Sequence, residues 1–349
     1  MMAPLTDDGL SVAVPPHKVY EGWSIPDAWK IECFAQEGPK IAKRGDWFYM
    51  VLAEEGTAGP ATSHMVIVAR SRSIHGPWEN APGNPIVHTR SAAERWWSRG
   101  HATLFEGPGR DWYFVYHGYE NGYQTLGRQT LLDPVRWTDD GWPETQGGDL
   151  SQPLPVPPGE AVPHALALSD DFSHDRTGVQ WSFFHPGTGE AARLRLQDGA
   201  LILKGKGQSP ADCSPLSFIT GDHAYEIEAE FAIDGGASAG LLVFYNERLY
   251  AGLGLSDTRL IDHRYWLNEP HAKPESLGRQ FHLRLRNDHH YLTLWWSPNG
   301  RAWTQHWIHS DVGGYQQNVG GGFLSLRPAI YAAGQGEVQV RNFQYRVLP

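Results

Sequence analysis

Apolar and polar residues alternate along most of this chain with the two-residue period of β-strands, and the strands come in groups of four. Within residues 37–80 the four stretches are PKIAK, WFYMVLA, HMVIVARS and a segment around PWE. Glycine-containing or charged turns separate these stretches, as they do between the strands of an antiparallel sheet. A group of four short strands is typical of one blade of a β-propeller.

The same group occurs a second time. RGDWFYMVLAEEG and GRDWYFVYHGYENG align with Asp46 on Asp111, an offset of 65 residues. The tetrapeptide TDDG stands at 6–9 and again at 138–141, an offset of 132, which is twice 66. A glycine turn leading into an aromatic residue, SIHGPW at 73–78, lies midway. Landmarks that share one period predict a repeat architecture.

This period places complete blades at about 37–80 and 100–144, preceded by the last part of another blade. Closure of a propeller takes roughly four to eight blades. We therefore predict an all-β chain whose first domain, residues 1–148, is a partial propeller of two to three blades. Such a domain would leave an apolar blade face and unpaired strand edges open, and this favours self-association or binding of a separate propeller fragment.

The alternation stops in a proline-rich stretch that we interpret as an extended linker, residues 149–167. Beyond it, alternating segments surround an Asp-Gly pair at 198–199 and an Asn-Gly pair at 299–300, and both pairs are strong hairpin signals. AYEIEAEFAI, AGLLVFYN and EVQVRNFQYRV add half-buried strands. We predict residues 168–349 to be a β-sandwich of jelly-roll type.

Charge and composition exclude several classes of function. The formal net charge of −10 argues against a nucleic-acid partner. No apolar run approaches the roughly 18 residues that cross a bilayer. The start MMAPLTDDGL shows no signal segment, so we expect a cytoplasmic location. Cys33 and Cys213 fit no metal or redox spacing, and we expect two buried free thiols.

In combination these residues resemble glycoside hydrolase family 43, the β-xylosidase and α-L-arabinofuranosidase group. The resemblance is carried by EGPKI, DWFYMVLAEEGTAG, RGHATLFEGPGRDWYFVYHG and LGRQTLLDPVRWTDDGWP. The segment from residue 168 is similar to the concanavalin A-like sandwich that often follows the propeller of that family. The resemblance implies a five-bladed propeller and inverting hydrolysis of xylan- or arabinoxylan-type oligosaccharides from plant cell walls.

The resemblance also implies roles for three residues. Glu37 of EGP corresponds to the general acid. His101 of GHA corresponds to a residue near the funnel centre, where it could contact a structural calcium ion through water; no cofactor is otherwise required. Arg128 of LGR corresponds to an arginine that faces the substrate or pairs with a carboxylate. The alternative is that Arg128 has a structural role and forms a local ion pair with Asp133 or Asp139.

Other candidates follow from the residue types. The chain has fifteen tryptophans, which suit either core filling or sugar stacking. Trp96 and Trp97 are candidates for sugar stacking at the funnel mouth, and core packing is an equal alternative for both. The catalytic base of the family would come from earlier blades and is not expected in this chain. Glu54, Glu55 and Glu120 are the nearby acids that could replace it, but they end the second strand of a blade.

Three hypotheses of different classes remain. The chain is the C-terminal portion of a glycosidase that needs further blades from another segment. Alternatively, it is an inactive fragment or a carbohydrate-binding module. In the third hypothesis, copies of the chain complete one another through their open blade edges.

Overall fold

The computed structural model describes residues 1–160 and 167–349, so the predicted linker 149–167 lies partly outside the described residues. The described part is almost wholly β-structure, which confirms the predicted fold class. It forms two compact units, Met1–Gly122 with Arg128–Ala161 and Tyr123–Gly127 with Val162–Pro349. In this part of the chain, no helix is long and apolar enough to cross a membrane.

The first unit contains two antiparallel sheets. The strands of the first sheet are β1 (Gln36–Arg44), β2 (Trp47–Glu54), β3 (Met65–Ser71), β4 (Glu79–Asn80) and β5 (Val87–His88). The strands of the second sheet are β6 (Trp96–Glu106), β7 (Trp112–Glu120), β8 (Gln129–Trp137) and β9 (Pro143–Thr145). In both sheets four strands pair in sequence order, and β5 adds to β3 in the first. The two predicted blades are thereby confirmed.

The repeated TDDG tetrapeptide forms the same turn twice. The hydroxyl of Thr6 donates a hydrogen bond to the second aspartate at 2.6 Å, and Thr138 does the same at 2.6 Å. Gly9 and Gly141 close the two turns with φ of 71° and 84°, which L-residues rarely adopt. The later turn connects β8 to β9, so the earlier one has the local structure expected near the last strand of a blade.

Both faces of the first sheet are covered. Successive residues of a strand point to opposite faces, so the buried side chains of this sheet fall into two groups. One face packs against the second sheet in a shared core of Tyr49, Val51, Val66, Val68, Ala102, Leu104, Phe114, Tyr116, Leu131, Val135 and Trp142. On the other face, Met50, Leu52, Met65 and Ile67 are 0–5% exposed and contact Tyr20, Trp23, Trp29 and Trp78. The expectation of an open apolar face on this blade is therefore wrong. Residues 20–29, which have no strand periodicity, cover it.

The second unit is a sandwich of two antiparallel sheets. Its strands are β10 (Ser182–Phe183), β11 (Leu194–Gln197), β12 (Ala200–Lys204), β13 (Leu216–Ser217), β14 (Ala224–Ile233), β15 (Ala237–Asn246), β16 (Leu249–Leu255), β17 (Arg259–Tyr265), β18 (Leu267–Ala272), β19 (Gln280–Asp288), β20 (Tyr291–Ser297), β21 (Thr304–Gln305), β22 (Ser310–Asp311), β23 (Arg327–Gly334) and β24 (Glu337–Val347). One sheet has the order β10-β13-β23-β15-β16-β17-β18. The other has the order β11-β12-β24-β14-β19-β20-β21, with β22 beside β20.

Local turn chemistry and alternation explain this sandwich. Asp198 and Gly199 have φ of 51° and 65°, the left-handed values that a two-residue hairpin requires, and they join β11 to β12. The inner faces of both sheets form one core that includes the fully buried rings of Phe231, Phe281 and Phe343.

The two cysteines differ in environment. Cys213 is a buried free thiol in the sandwich, as expected. Cys33 is free but exposed, contrary to the expectation, because it lies in irregular chain just before β1 rather than on a core-facing strand position.

Candidate active site

Glu37 and His101 both lie on irregular stretches of their strands. Glu37 is the second residue of β1 and pairs with Ala53, and the β1–β2 register shifts immediately after it. His101 lies in β6 within the register shift between Gly100 and Thr103 and has φ of 60°. Bulges of this kind re-aim side chains and are frequent beside active sites.

The structure brings these two side chains together. Glu37 Oε1 lies 3.3 Å from His101 Nδ1. The imidazole packs directly over Gly38, where an added Cβ would stand 2.3 Å from His101 Nε2, and Gly38 has φ of 60°. Only glycine satisfies both conditions. The Glu37 side chain remains 58% exposed, so the pair is open to a ligand from solvent.

Two further histidines, which the sequence did not single out, complete a three-histidine cluster of His64, His101 and His117. His64 precedes β3, and His117 lies in β7 opposite Gly100. One ring nitrogen of each histidine lies within 4.8 Å of the others. The rings of His64 and His117 stack with their centroids 5.2 Å apart. A Cβ on Gly100 would stand 2.1 Å from His64 Cδ2, so glycine makes room for this ring.

Burial keeps two of these rings neutral. His64 Nδ1 lies 2.6 Å from the carbonyl oxygen of Glu55, which can only accept, so Nδ1 carries the proton and Nε2 keeps its lone pair. Burial lowers the pKa of His64. Burial, and then the electrostatic interactions with His64 and Arg128, lower the pKa of His117 to about 2. Neither nitrogen of His117 has a hydrogen-bond partner within residues 1–160 and 167–349.

Arg128 immediately precedes β8. Burial is the main cause of the lowered pKa of both His64 and His117, and the charge of Arg128 is a smaller cause for each. Asp133, its alternative partner, accepts hydrogen bonds from two backbone amides at 2.8 and 3.0 Å and from the Tyr116 hydroxyl at 3.2 Å. The arrangement therefore places a permanent positive charge near the neutral imidazoles.

The two candidate stacking residues have structural contacts. Trp96 packs against the core between the two sheets of the first unit. Trp97 donates its indole N–H to the carbonyl of Ala92 at 3.1 Å. Core packing is thus the alternative that these contacts favour for Trp96.

The three acids considered as substitutes for the base are buried. Glu54 accepts hydrogen bonds from a backbone amide and from Gln36, each at 3.0 Å. Glu120 accepts two from Arg95, at 2.9 and 3.0 Å. Burial, and then the charge of Glu54, raise the pKa of Glu55 to about 7. Glu55 is therefore protonated over most of the acidic range.

The three-histidine cluster does not fit calcium as a set of direct ligands. Calcium takes six to eight oxygen ligands, whereas the converging atoms here are imidazole nitrogens. Imidazole suits zinc and its neighbours in the first transition series. The expected contact of His101 with calcium through water stays a prediction.

A cavity of about 700 Å³ lies elsewhere in the first unit. Its walls include Trp23 and Trp29, and the ring of Trp29 stacks on His88 with centroids 4.4 Å apart. The residues that line it do not include Glu37, His101 or Arg128.

Comparison of the two repeats would have revealed His117 but not His64. At the offset of 65, His117 occupies the position of Leu52. The second repeat therefore introduces an ionisable residue at this position, in addition to the difference between Glu37 and His101 near the start of the repeats. His64 precedes a strand and has no equivalent signal.

Comparisons with known proteins cover both units. Residues 1–143 match the family profile described as glycosyl hydrolases family 43. Residues 169–346 match the profile described as beta xylosidase C-terminal concanavalin A-like domain.

Two curated proteins are similar in sequence. The non-reducing end alpha-L-arabinofuranosidase BoGH43B of Bacteroides ovatus is 34% identical over 175 residues, which are 48% of this chain and 32% of that protein. A xylan 1,3-beta-xylosidase of a Vibrio species is 30% identical over 222 residues, 57% of this chain and 38% of that protein. The matched segments span less than half the length of these relatives.

Two solved structures share the fold. The GH43 BlXynB protein from Bacillus licheniformis has a TM-score of 0.85 at 23% identity, over 99% of this chain and 70% of that chain. The Bacteroides ovatus protein described as Xyloglucan PUL GH43B has a TM-score of 0.83 at 21% identity, over 99% and 71%. At these identities the likeness shows the fold alone.

Proposed function

The chain belongs to glycosyl hydrolase family 43, and on that premise we propose that its first unit carries the general acid of a glycosidase. The observation that supports this is the contact of Glu37 Oε1 with His101 Nδ1 at 3.3 Å, which joins the heads of the two repeats. The names of the relatives, an arabinofuranosidase and a xylosidase, support xylan- or arabinoxylan-type oligosaccharides as the substrate class.

In this proposal the solvent-open carboxyl of Glu37 donates a proton to the leaving glycosidic oxygen. His101 fixes the orientation of that carboxyl, and its own ring is held against Gly38. Arg128 supplies a cation that can bind substrate hydroxyl oxygens. The neutral imidazoles of His64 and His117 fill the space behind the pair without adding charge.

Inverting hydrolysis further requires an ionised carboxylate roughly 6.5 to 9.5 Å from the acid. Glu54 and Glu120 are engaged in hydrogen bonds, and Glu55 is held protonated up to about pH 7. We propose that the base belongs to further propeller blades outside residues 1–349. Since the face formed by Met50 and Leu52 is covered, we expect such blades to be required for chemistry rather than to shield that face.

The test is hydrolysis of 4-nitrophenyl β-xyloside and 4-nitrophenyl α-L-arabinofuranoside by the chain alone and by the chain mixed with a polypeptide carrying the additional blades. Activity should appear in the mixture, and Glu37→Gln should lower it, most strongly on substrates such as xylobiose whose leaving group needs a proton. A matched control is Glu106→Gln, which removes an exposed carboxylate from the far end of β6.

Full activity of the isolated chain would contradict the assignment of the base. A mixture that binds arabinoxylan without cleaving it would instead favour the carbohydrate-binding or inactive alternative.

A further inference from the structure

The sandwich contains a second group of metal-ligating side chains, separate in sequence from the proposed active site. Asp262 of β17 and Glu269 of β18 are direct cross-strand partners. His271 follows two residues after Glu269 and therefore lies on the same face of β18. One ligand atom of each of the three lies within 4.8 Å of the other two.

A fourth residue, His306, approaches this group after β21, which belongs to the opposite sheet. Its side chain is 0% exposed, and that of Asp262 is 1% exposed. His306 Nε2 lies 3.6 Å from Asp262 Oδ1. The group therefore lies between the two sheets, where β17 and β18 form the edge of the seven-stranded sheet.

The polar atoms of this group lack ordinary partners. Asp262 Oδ1, His271 Nε2 and both ring nitrogens of His306 are buried without a hydrogen bond to any part of the chain that the structure describes. Buried polar atoms are nearly always bonded to protein, to water or to an ion. Here the atoms without partners belong to three neighbouring residues: His306 approaches Asp262, and the ring centroids of His271 and His306 are 6.1 Å apart.

The neighbouring groups leave these atoms available. Arg264 Nε donates to the other oxygen of Asp262 at 2.7 Å, and the same guanidinium contacts Glu269. Arg264 thus balances one of the two carboxylates and leaves one negative charge. The indole of Trp307 stands 4.2 Å from the His306 ring and 5.0 Å from the His271 ring, centroid to centroid.

We propose that Asp262, His271 and His306, with Glu269 on the exposed side, bind one divalent ion of the zinc class. Two imidazoles and a carboxylate oxygen suit Zn²⁺, Co²⁺ or Ni²⁺, whereas Ca²⁺ and Mg²⁺ prefer oxygen ligands. Ligand atoms of zinc stand about 2.0–2.2 Å from the ion, so binding draws these side chains closer by about an ångström. The ion ties the edge hairpin β17–β18 to the opposite sheet.

The test uses the full chain after removal of metal with a chelator. The background is His117→Leu, which takes one ring from the three-histidine cluster and so reduces binding there. Titration with Co²⁺, followed by its visible absorption, and with Zn²⁺, followed by calorimetry, should show one equivalent. Zn²⁺ should also raise the unfolding temperature of the sandwich.

His271→Gln should weaken Zn²⁺ binding by at least about tenfold, because a first-row ion in this site depends on imidazole ligation. The matched control is His309→Gln, an exposed histidine three residues after His306, which should leave binding unchanged. If His271→Gln does not fold cooperatively without metal, Glu269→Gln, at an exposed position, takes its place and should weaken binding. The proposal is overturned if no equivalent binds more tightly than about 100 μM, or if the folded ligand variants bind as tightly as the control.

Discussion

The two sheets of the first unit share a strand plan and a core, but they differ where their polar side chains meet. At the repeat offset of 65, Tyr49 corresponds to Phe114 and Val51 to Tyr116, and all four side chains are buried in the shared core. The alternate positions have diverged, as the pair Leu52 and His117 shows. The face that packs in the shared core is thus alike in the two sheets. The other face packs Leu52 in the first sheet and holds His117 of the three-histidine cluster in the second, so its chemistry differs within the same strand plan.

The largest effect is expected from Glu37→Gln in the complemented enzyme. Removal of a general acid typically costs about 10²- to 10⁴-fold in rate. The loss in kcat should be greater for xylobiose than for 4-nitrophenyl xyloside, because nitrophenolate leaves readily without a proton. An equal loss on both substrates would indicate a structural role for Glu37 rather than proton donation.

Gly38→Ala tests the close approach of the two sheets. Its Cβ would collide with His101, and φ at this position is 60°, so we expect the free energy of unfolding to fall by about 2–5 kcal/mol. Gly45→Ala is the matched control, since Gly45 has φ of 57° but nothing within 4 Å of an added Cβ. Denaturant unfolding followed by tryptophan fluorescence should show a smaller loss for Gly45→Ala. Equal losses would mean that only backbone strain matters.

His117→Leu places in the second sheet the residue that the first sheet has at the equivalent position, Leu52. The ring nitrogens of His117 are buried without a hydrogen-bond partner among the described residues, so its removal should raise the free energy of unfolding by about 1–3 kcal/mol. The control His75→Leu changes an exposed histidine of the same unit and should not stabilise it. Destabilisation by His117→Leu would show that the ring has a partner, such as an ordered water, that leucine cannot replace.

Glu55→Gln should give a smaller, pH-dependent effect. The pKa of Glu55 is raised from 4.5 to about 7 in the folded protein, so the folded state binds the proton more tightly than the unfolded state. Wild-type stability therefore falls as the pH rises from about 4.5 through 7. Relative to wild type, the variant should gain about 1–2 kcal/mol at pH 8 and nothing below pH 4.5. A difference that does not vary with pH would contradict the raised pKa.

Local signals in the sequence predicted the strands well. Segments such as Ala224–Ile233 and Glu337–Val347 coincide with β14 and β24, because alternation and hairpin turns depend on neighbouring residues. Separate roles for Glu37 and His101 were implied by the family resemblance of their motifs, but their direct contact was not predicted. His64 was not singled out, because nothing beside it in sequence indicates which distant strand it meets.

The covering of the first sheet by residues 20–29 could not be predicted for a related reason. The segment follows no period, and its tryptophans find their positions through tertiary contacts alone. Its backbone forms no ladder with β1–β5. Instead, the amide of Trp23 donates to the side chain of Glu54, and the carbonyl of Gly22 accepts from Asn80.

Such a cover makes the first unit vulnerable to limited digestion. Irregular chain that is held mainly by side chains opens more readily than a strand within a sheet, and proteases cut where the backbone opens. A single cut near Pro26 would free the indoles of Trp23 and Trp29 and uncover Met50, Leu52, Met65 and Ile67 together. Purified protein would then stay soluble in storage only while this segment is uncut. The cleaved form would precipitate although its sandwich is still folded.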